Sequence, residues 1–317
     1  MSVLTKQAPG AAATLAAPGR GKTKRGPSRR TNQRSGYLFL LPWFIGMLFT
    51  IIPFFASLYL AFTDYNLFTE PNFVGLANFQ AMFEDPRLLQ SLKVTFIYTF
   101  VSVPISLAVA LLVALVLNRG LSGLSIYRSV YYLPSLLGGS VAIVMLWRYI
   151  FGNYGIVNGF LGVFGIQGPA WVTDPEFALS TLIVLNVWTF GSPMVIFLAG
   201  LRQVPAMYYE AASIDGASRW RQFRSITLPL ISPIIFFNLI MQLIGSFQTF
   251  TQGYVMSGGT GGPADSTLFY NLYLYQKGFT EFEMGYASAM AWLLLMIIAI
   301  FTAINFIASK FWVFYDN

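Results

Sequence analysis

An all-α integral membrane protein with six transmembrane helices is the fold that the sequence predicts, and three observations carry the prediction. Of the 317 residues 56% are hydrophobic and only 10% are charged, against about 25% charged in an ordinary soluble domain. Apolar stretches long enough for a bilayer-crossing helix recur six times; such a helix takes about 20 residues. Lys and Arg are dense in alternate connecting segments and sparse in the others, as the sidedness of a membrane demands.

Residues 1–36 come first and contain eight of the 19 basic residues: Lys6, Arg20, Lys22, Lys24, Arg25, Arg29, Arg30 and Arg34. The segment is rich in Pro, Gly, Ala and Thr, has no apolar run, and reads as a disordered basic tail. No apolar core separates its charges from a cleavage site, so it is not a signal peptide. Basic tails also bind nucleic acid, but a positive flank to the first span is the plainer reading and no nucleic-acid partner is expected.

The spans follow within residues 37–317. Residues 37–62 ("YLFLLPWFIGMLFTIIPFFASLYLAF") and 94–117 ("VTFIYTFVSVPISLAVALLVALVL") contain no charge. The third, 129–147, is shorter and ends at Trp147 and Arg148, an interfacial pair. The fourth, 177–201, carries nothing more polar than Asn186, and the fifth and sixth run over about 230–252 and 285–309. Pro42, Pro53, Pro104, Pro134 and Pro193 fall in or near these spans, which membrane helices tolerate better than soluble ones.

Orientation follows from the basic residues. The tail, 118–128, 202–229 and Lys310 together hold 15, whereas the opposite side holds four, Arg87, Lys93, Arg148 and Lys277. Nine of the 12 acidic residues share that second side. The positive-inside rule therefore places both termini in the cytoplasm.

Composition also narrows the chemistry. The chain has no Cys and no His, so disulfides, thiolate chemistry and the commonest general base and metal ligand are missing. With no paired carboxylates near the bilayer surface, a membrane-bound enzyme has no evident catalytic group. No Asp, Glu, Lys or Arg lies in the middle of a span, which disfavours a self-sufficient proton-coupled carrier and leaves sodium coupling through backbone carbonyls open.

Uncharged polar residues do lie in the spans. Asn238, Gln242, Ser246, Thr249 and Gln252 follow at spacings of 4, 4, 3 and 3, which at about 100° per residue keeps them on one side of a helix. Gly245 lies among them, and Phe247, Gln248 and Phe250 beside them. In the fourth span Asn186 and Thr189 flank Trp188. These side chains suit the lining of a path for a hydroxyl-rich solute, and they equally suit hydrogen bonds between helices.

The connector between the fourth and fifth spans, "YYEAASIDGASRWRQFRSITLPLISP", is unusual for a polar loop. Glu210 to Ile214 favour helix, Asp215-Gly216 is a turn signal, and Ala217 to Phe223 form a second short helix. Pro229 suits the first turn of the next span. Ala211, Ala212, Gly216 and Ala217 allow close backbone approach, and Glu210 and Asp215 offer carboxylates to basic groups. Spacing alone leaves two readings open: insertion into another protein, or rest on lipid headgroups.

"EAASIDGA" followed by "FRSITLPLISP" resembles the signature cytoplasmic loop of permease subunits of bacterial ATP-binding-cassette importers. The match falls on Glu210, Ala211, Ala212, Gly216, Ile226, Leu228 and Pro229, and Asp215 and Pro233 resemble its sugar-importing branch. The first span and "SGGTGGPADSTLFYNLYLYQKGF" also resemble that branch, nearest the maltose and glycerol-phosphate type, and the likeness runs over residues 37–317. The resemblance implies a type I importer permease fold in the bacterial cell membrane, with the connector as a coupling helix. It implies a homologous second permease, two cytoplasmic ATPases that hold ATP and Mg, an extracytoplasmic solute-binding protein and a sugar moved by alternating access. On that pattern Glu210 bridges to the ATPase and Gly216 permits the bend. No cofactor is expected on this chain: the glycines of "GGTGGP" are followed by Pro263, Ala264 and Asp265, where a phosphate-binding loop has Lys and Ser or Thr.

Overall fold

Backbone groups in hydrocarbon must satisfy one another, and over most of this chain they do so as helices. The computed structural model describes residues 33–314 apart from 121 and 122. The tail expected at 1–36 therefore lies outside the described residues up to 32, and its last four residues already belong to the first helix, α1 (Gln33–Leu60). The chain divides into residues 1–52 and 53–317. In the first unit α1 exposes every side chain from Tyr37 to Ile52.

In the second unit α2 (Ala77–Glu84) leads into α3 (Pro86–Leu117), which begins eight residues before the expected span at Val94. Asp85 explains the early start: its carboxylate accepts from the Arg87 and Leu88 amides at 2.9 and 3.2 Å, and Pro86 fills the first helical position. The third span is corrected. In place of one helix over 129–147 there are two, α4 (Leu124–Leu137) and α5 (Val141–Ile150), bent by 98°. Gly138 and Gly139 weaken the helix there, and Ser140 restarts it by capping the Ile143 amide at 3.3 Å. Among the described residues five helices are therefore long and apolar enough to span, or six with the bent pair.

After the short α6 (Ile156–Val163), the fourth span is α7 (Pro175–Trp188) and α8 (Gly191–Leu201) in near continuity. The connector is α9 (Ala206–Ile214), α10 (Arg219–Gln222), a π-helical turn at Phe223–Thr227 and α11 (Leu228–Leu230). The fifth span is α12 (Ser232–Phe247) with α13 (Thr251–Ser257). A Gly-rich loop, α14 (Tyr270–Tyr275) and a second π-helical turn precede α15 (Met284–Trp312).

α3 is the axis of this unit and packs on α7, α8 and α12. One apolar cluster gathers around its N-terminal half with Leu182, Leu185, Phe247, Phe269 and Tyr270. A second joins Val103, Ala110 and Leu117 to Met194, Phe197 and Leu201. α4 rides closely on α8, because a Cβ at Gly191 would collide with the Tyr131 carbonyl. Small residues make such close helix contacts possible in membranes.

The end of the bundle that the charge count puts outside is tied by a polar network. Tyr273 and Tyr286 donate to Asp85 Oδ2 at 2.6 and 2.8 Å, and Arg87 forks onto Asp265 of the Gly-rich loop at 3.1 Å twice. Burial raises the Asp85 pKa, but the bonds from Tyr273, Tyr286 and the Leu88 and Arg87 amides outweigh it and hold the carboxyl below its ordinary 3.8. Burial lowers that of Lys277, yet Glu281 and Glu283 at 2.7 and 3.0 Å carry it above 10.5. Asp85 therefore stabilises the fold fully above its unfolded pKa and loses that contribution as pH falls through its lower folded value. The Lys277 contribution is complete below 10.5 and fades as pH rises past its higher folded value. Asp85→Asn keeps a capping oxygen but loses the charge, which costs about 1–2 kcal/mol. Thermal unfolding of the purified protein checks this: the gap between wild type and variant should narrow below about pH 4, and a gap unchanged in acid would refute it.

Candidate functional site

Two helix breaks build a polar recess. Between α7 and α8 the Thr189 hydroxyl donates back to the Asn186 carbonyl at 2.7 Å. Ser135 of α4 enters the gap, its Oγ donating to the Thr189 carbonyl and accepting from the Ser192 amide, both at 2.8 Å. Between α12 and α13 Phe250 leaves the helical region at φ −135°, ψ −60°. Irregular backbone within a span is tolerated where it lines a cavity. Here both breaks border one recess of about 290 Å³, lined by Ser135, Asn186, Thr189, Ser192, Pro193, Gln242, Gly245, Ser246, Thr249 and Gln252. Apart from Pro193 and Gly245, each lining residue brings an amide or a hydroxyl, and none brings a charge.

Of the nine pathway residues expected from sequence, the structure gathers five here: Asn186, Thr189, Gln242, Ser246 and Thr249. Four lie elsewhere. Asn238 is 3% exposed and its Nδ2 donates to the Ile234 carbonyl of its own helix at 2.9 Å. Its spacing keeps it on the stripe's side of the helix, but its amide nitrogen is engaged by its own backbone. Trp188 packs on Trp147 with ring centroids 5.5 Å apart. Phe247 is 2% exposed, against Phe96 and Phe301. Gln248 faces a larger, mainly aliphatic groove with Asn271 and Thr302. Sequence reasoning missed Ser135 and Ser192; Ser192 beside Gly191 and Pro193 marked a break, while nothing local marked Ser135.

The recess is braced from behind by α3. Asn186 Nδ2 donates to the Tyr98 hydroxyl at 2.9 Å, and Gln242 Nε2 to Ser106 Oγ at 3.4 Å. Such a site offers neutral donors and acceptors, and its lining residues include no carboxylate, amine or imidazole to activate the hydroxyls.

The connector is a closed turn between two helices. Ala217 N–H donates to the Ala212 carbonyl at 2.8 Å and Gly216 N–H to the Ser213 carbonyl at 3.1 Å, the pair of bonds that ends a helix on a left-handed residue. Gly216 is that residue, at φ +74°. Gln222 clasps the turn, donating to Ser213 Oγ at 3.0 Å and the Ala217 carbonyl at 3.1 Å. The second helix starts at Arg219, two residues later than expected, because Ser218 caps it. Pro229 sits in α11, ahead of the span. Glu210, Ala211, Asp215 and Gly216 are exposed, with Ala212 and Ala217 half-buried. Ile214 and Trp220 are also exposed. A hydrogen bond of 2.9 Å between the Tyr209 and Thr227 hydroxyls links α9 to the turn entering the fifth span.

Comparison with known proteins gives a consistent pattern. The family model described as "Binding-protein-dependent transport system inner membrane component" matches residues 74–312. A probable ABC transporter permease protein, YesP of Bacillus subtilis, is 52% identical, over 93% of this chain and 96% of its own length. The lactose transport system permease protein LacF of Rhizobium radiobacter is 32% identical, over 91% and 98%. The trehalose/maltose transport system permease protein MalF of Thermococcus litoralis is 30% identical, over 87% and 94%. Among solved structures, a bacterial ABC transporter involved in importing the acidic polysaccharide alginate shares the fold, with TM-score 0.73 at 23% identity over 88% of this chain and 96% of that one.

Proposed function

The chain belongs to the family of binding-protein-dependent transport system inner membrane components, and from that premise we propose that it is one transmembrane half of an ATP-driven importer moving a sugar or oligosaccharide by alternating access. The observation that carries the cargo class is the recess, where two broken spans present amides and hydroxyls with no charge. A phosphorylated or carboxylated cargo would call for Arg or Lys there, so the cargo is a neutral sugar. Relatives named for lactose, starch degradation products and trehalose/maltose support the same class.

Residues 37–317 act as the permease domain, with both termini in the cytoplasm. The exposed turn of α9 and α10 docks on a cytoplasmic ATPase, where Glu210 and Asp215 face basic groups. ATP and Mg are held by two such ATPases, so this chain hydrolyses nothing itself. A second, homologous permease completes the pathway, and a solute-binding protein delivers cargo at the face of the Arg87–Asp265 bridge. Gentle detergent purification of the tagged chain from native membranes tests this reading, with mass spectrometry of what accompanies it. An ATPase and a second permease are expected. Recovery of the chain alone, active in liposomes without ATP, would replace this reading with a self-sufficient carrier.

A further inference from the structure

We infer that Tyr98, which lines no part of the recess, is its positioning residue: one buried phenol holds the Asn186 amide of one broken span and lies beside Thr249 of the other. The inference rests on the reading of the recess as the solute site. Tyr98 lies midway along α3 and is 1% exposed. Its ring stands edge-on to Phe269, with centroids 4.9 Å apart and planes at 82°, so its orientation is set by packing. A buried phenolic hydroxyl needs a partner. Here it accepts from Asn186 Nδ2 at 2.9 Å, and the Thr249 side chain lies beside it. Asn186 belongs to α7 and Thr249 to the break after α12.

The contact has a chemical consequence. With one of its two amide N–H groups given to Tyr98 and the amide plane held by that bond, Asn186 has its carbonyl oxygen left for the recess. Gln242 repeats the arrangement, its nitrogen engaged by Ser106 two turns further along α3. The recess thus offers acceptors at both amides, matched to solute hydroxyls that donate. Removing the Tyr98 hydroxyl lets the Asn186 amide turn, so that it no longer distinguishes a hydroxyl from an ether.

A competition experiment reads this directly. The assembled importer, with its ATPase and binding protein, is reconstituted in vesicles. It is supplied with an equimolar mixture of neutral di- and trisaccharides and their mono-O-methylated counterparts, and delivery is followed by mass spectrometry. Binding protein is held constant, so loading is the same for every variant. Tyr98→Phe keeps the ring and its contact with Phe269, and should cut the preference for free hydroxyl over O-methyl about three- to tenfold, the range for one neutral hydrogen bond. Asn186→Ala should remove the same preference, and adding Tyr98→Phe to it should change nothing further. Tyr98→Phe that slows every sugar equally, or shifts the preference by the same factor with and without Asn186, overturns the inference and leaves the recess reading intact. Asn186→Ala with an unaltered preference overturns the recess reading and this inference together.

Discussion

Gly216→Leu should leave the chain inserted in the membrane and reduce uptake at least tenfold, even with the loaded binding protein in excess. The cause begins in the backbone. Gly216 holds φ +74°, a conformation that costs an ordinary L-residue about 1–2 kcal/mol. That is enough to shift a turn held by two backbone bonds and the Gln222 clasp into other conformations roughly 5- to 30-fold more often. A Cβ at 216 meets nothing within 4 Å, so no clash inside the chain contributes. The remaining effect of Leu is its bulk on an exposed face that, under the proposed function, lies against an ATPase. A graded series separates the two terms. Gly216→Asn, which tolerates the left-handed region, should retain most activity, Gly216→Ala less, and Gly216→Leu least. Membrane fractionation checks insertion, and uptake together with ATP hydrolysis checks coupling. Normal uptake by Gly216→Leu would show that the turn does not transmit the ATPase's closure.

The helices were legible in the sequence because hydrocarbon leaves the backbone few options, and a charge-free run of 20 residues has few other uses. The bend at Gly138–Ser140 was less so: its signal is three residues long, and averaging over a span-length window hides it. The turn at Asp215-Gly216 was visible as a dipeptide, though the sequence suggested close approach, whereas within the chain the glycine is required by its positive φ. Most of the recess was legible, because Gln242, Ser246 and Thr249 are spaced as one helix face and Asn186 and Thr189 stand three apart in the fourth span. Ser135 and the brace from Tyr98 were not. They come in through contacts spanning 54 and 88 positions in the chain, and no local pattern encodes such a contact. Asn238 shows the opposite failure: its spacing fits the stripe, but its amide bonds its own helix.

That contrast supplies the sharpest test of the recess. Gln242→Leu and Asn186→Leu each replace an amide lining it with an apolar group, isosteric for Asn186 and one heavy atom smaller for Gln242. A solute hydroxyl that had bonded to the amide would then be desolvated without a partner, at about 1–3 kcal/mol. Each variant should therefore slow delivery of a neutral disaccharide about 5- to 150-fold at saturating loaded binding protein. Co-purification with the ATPase should be unchanged, because the connector is untouched. Asn238→Leu lies on the same helix, one turn before Gln242, and removes a bond made only to the Ile234 carbonyl. It should shift thermal stability by no more than about 1 kcal/mol and leave the order of preference among competing sugars as it was. Helix-to-helix bonding as the role of the polar stripe makes a different forecast. Gln242→Leu, which breaks a contact to Ser106 of α3, would then lower stability and slow all sugars alike. Selectivity that moves with Gln242 and Asn186 but not with Asn238 separates a solute path from a structural seam, since all three substitutions remove the same kind of group.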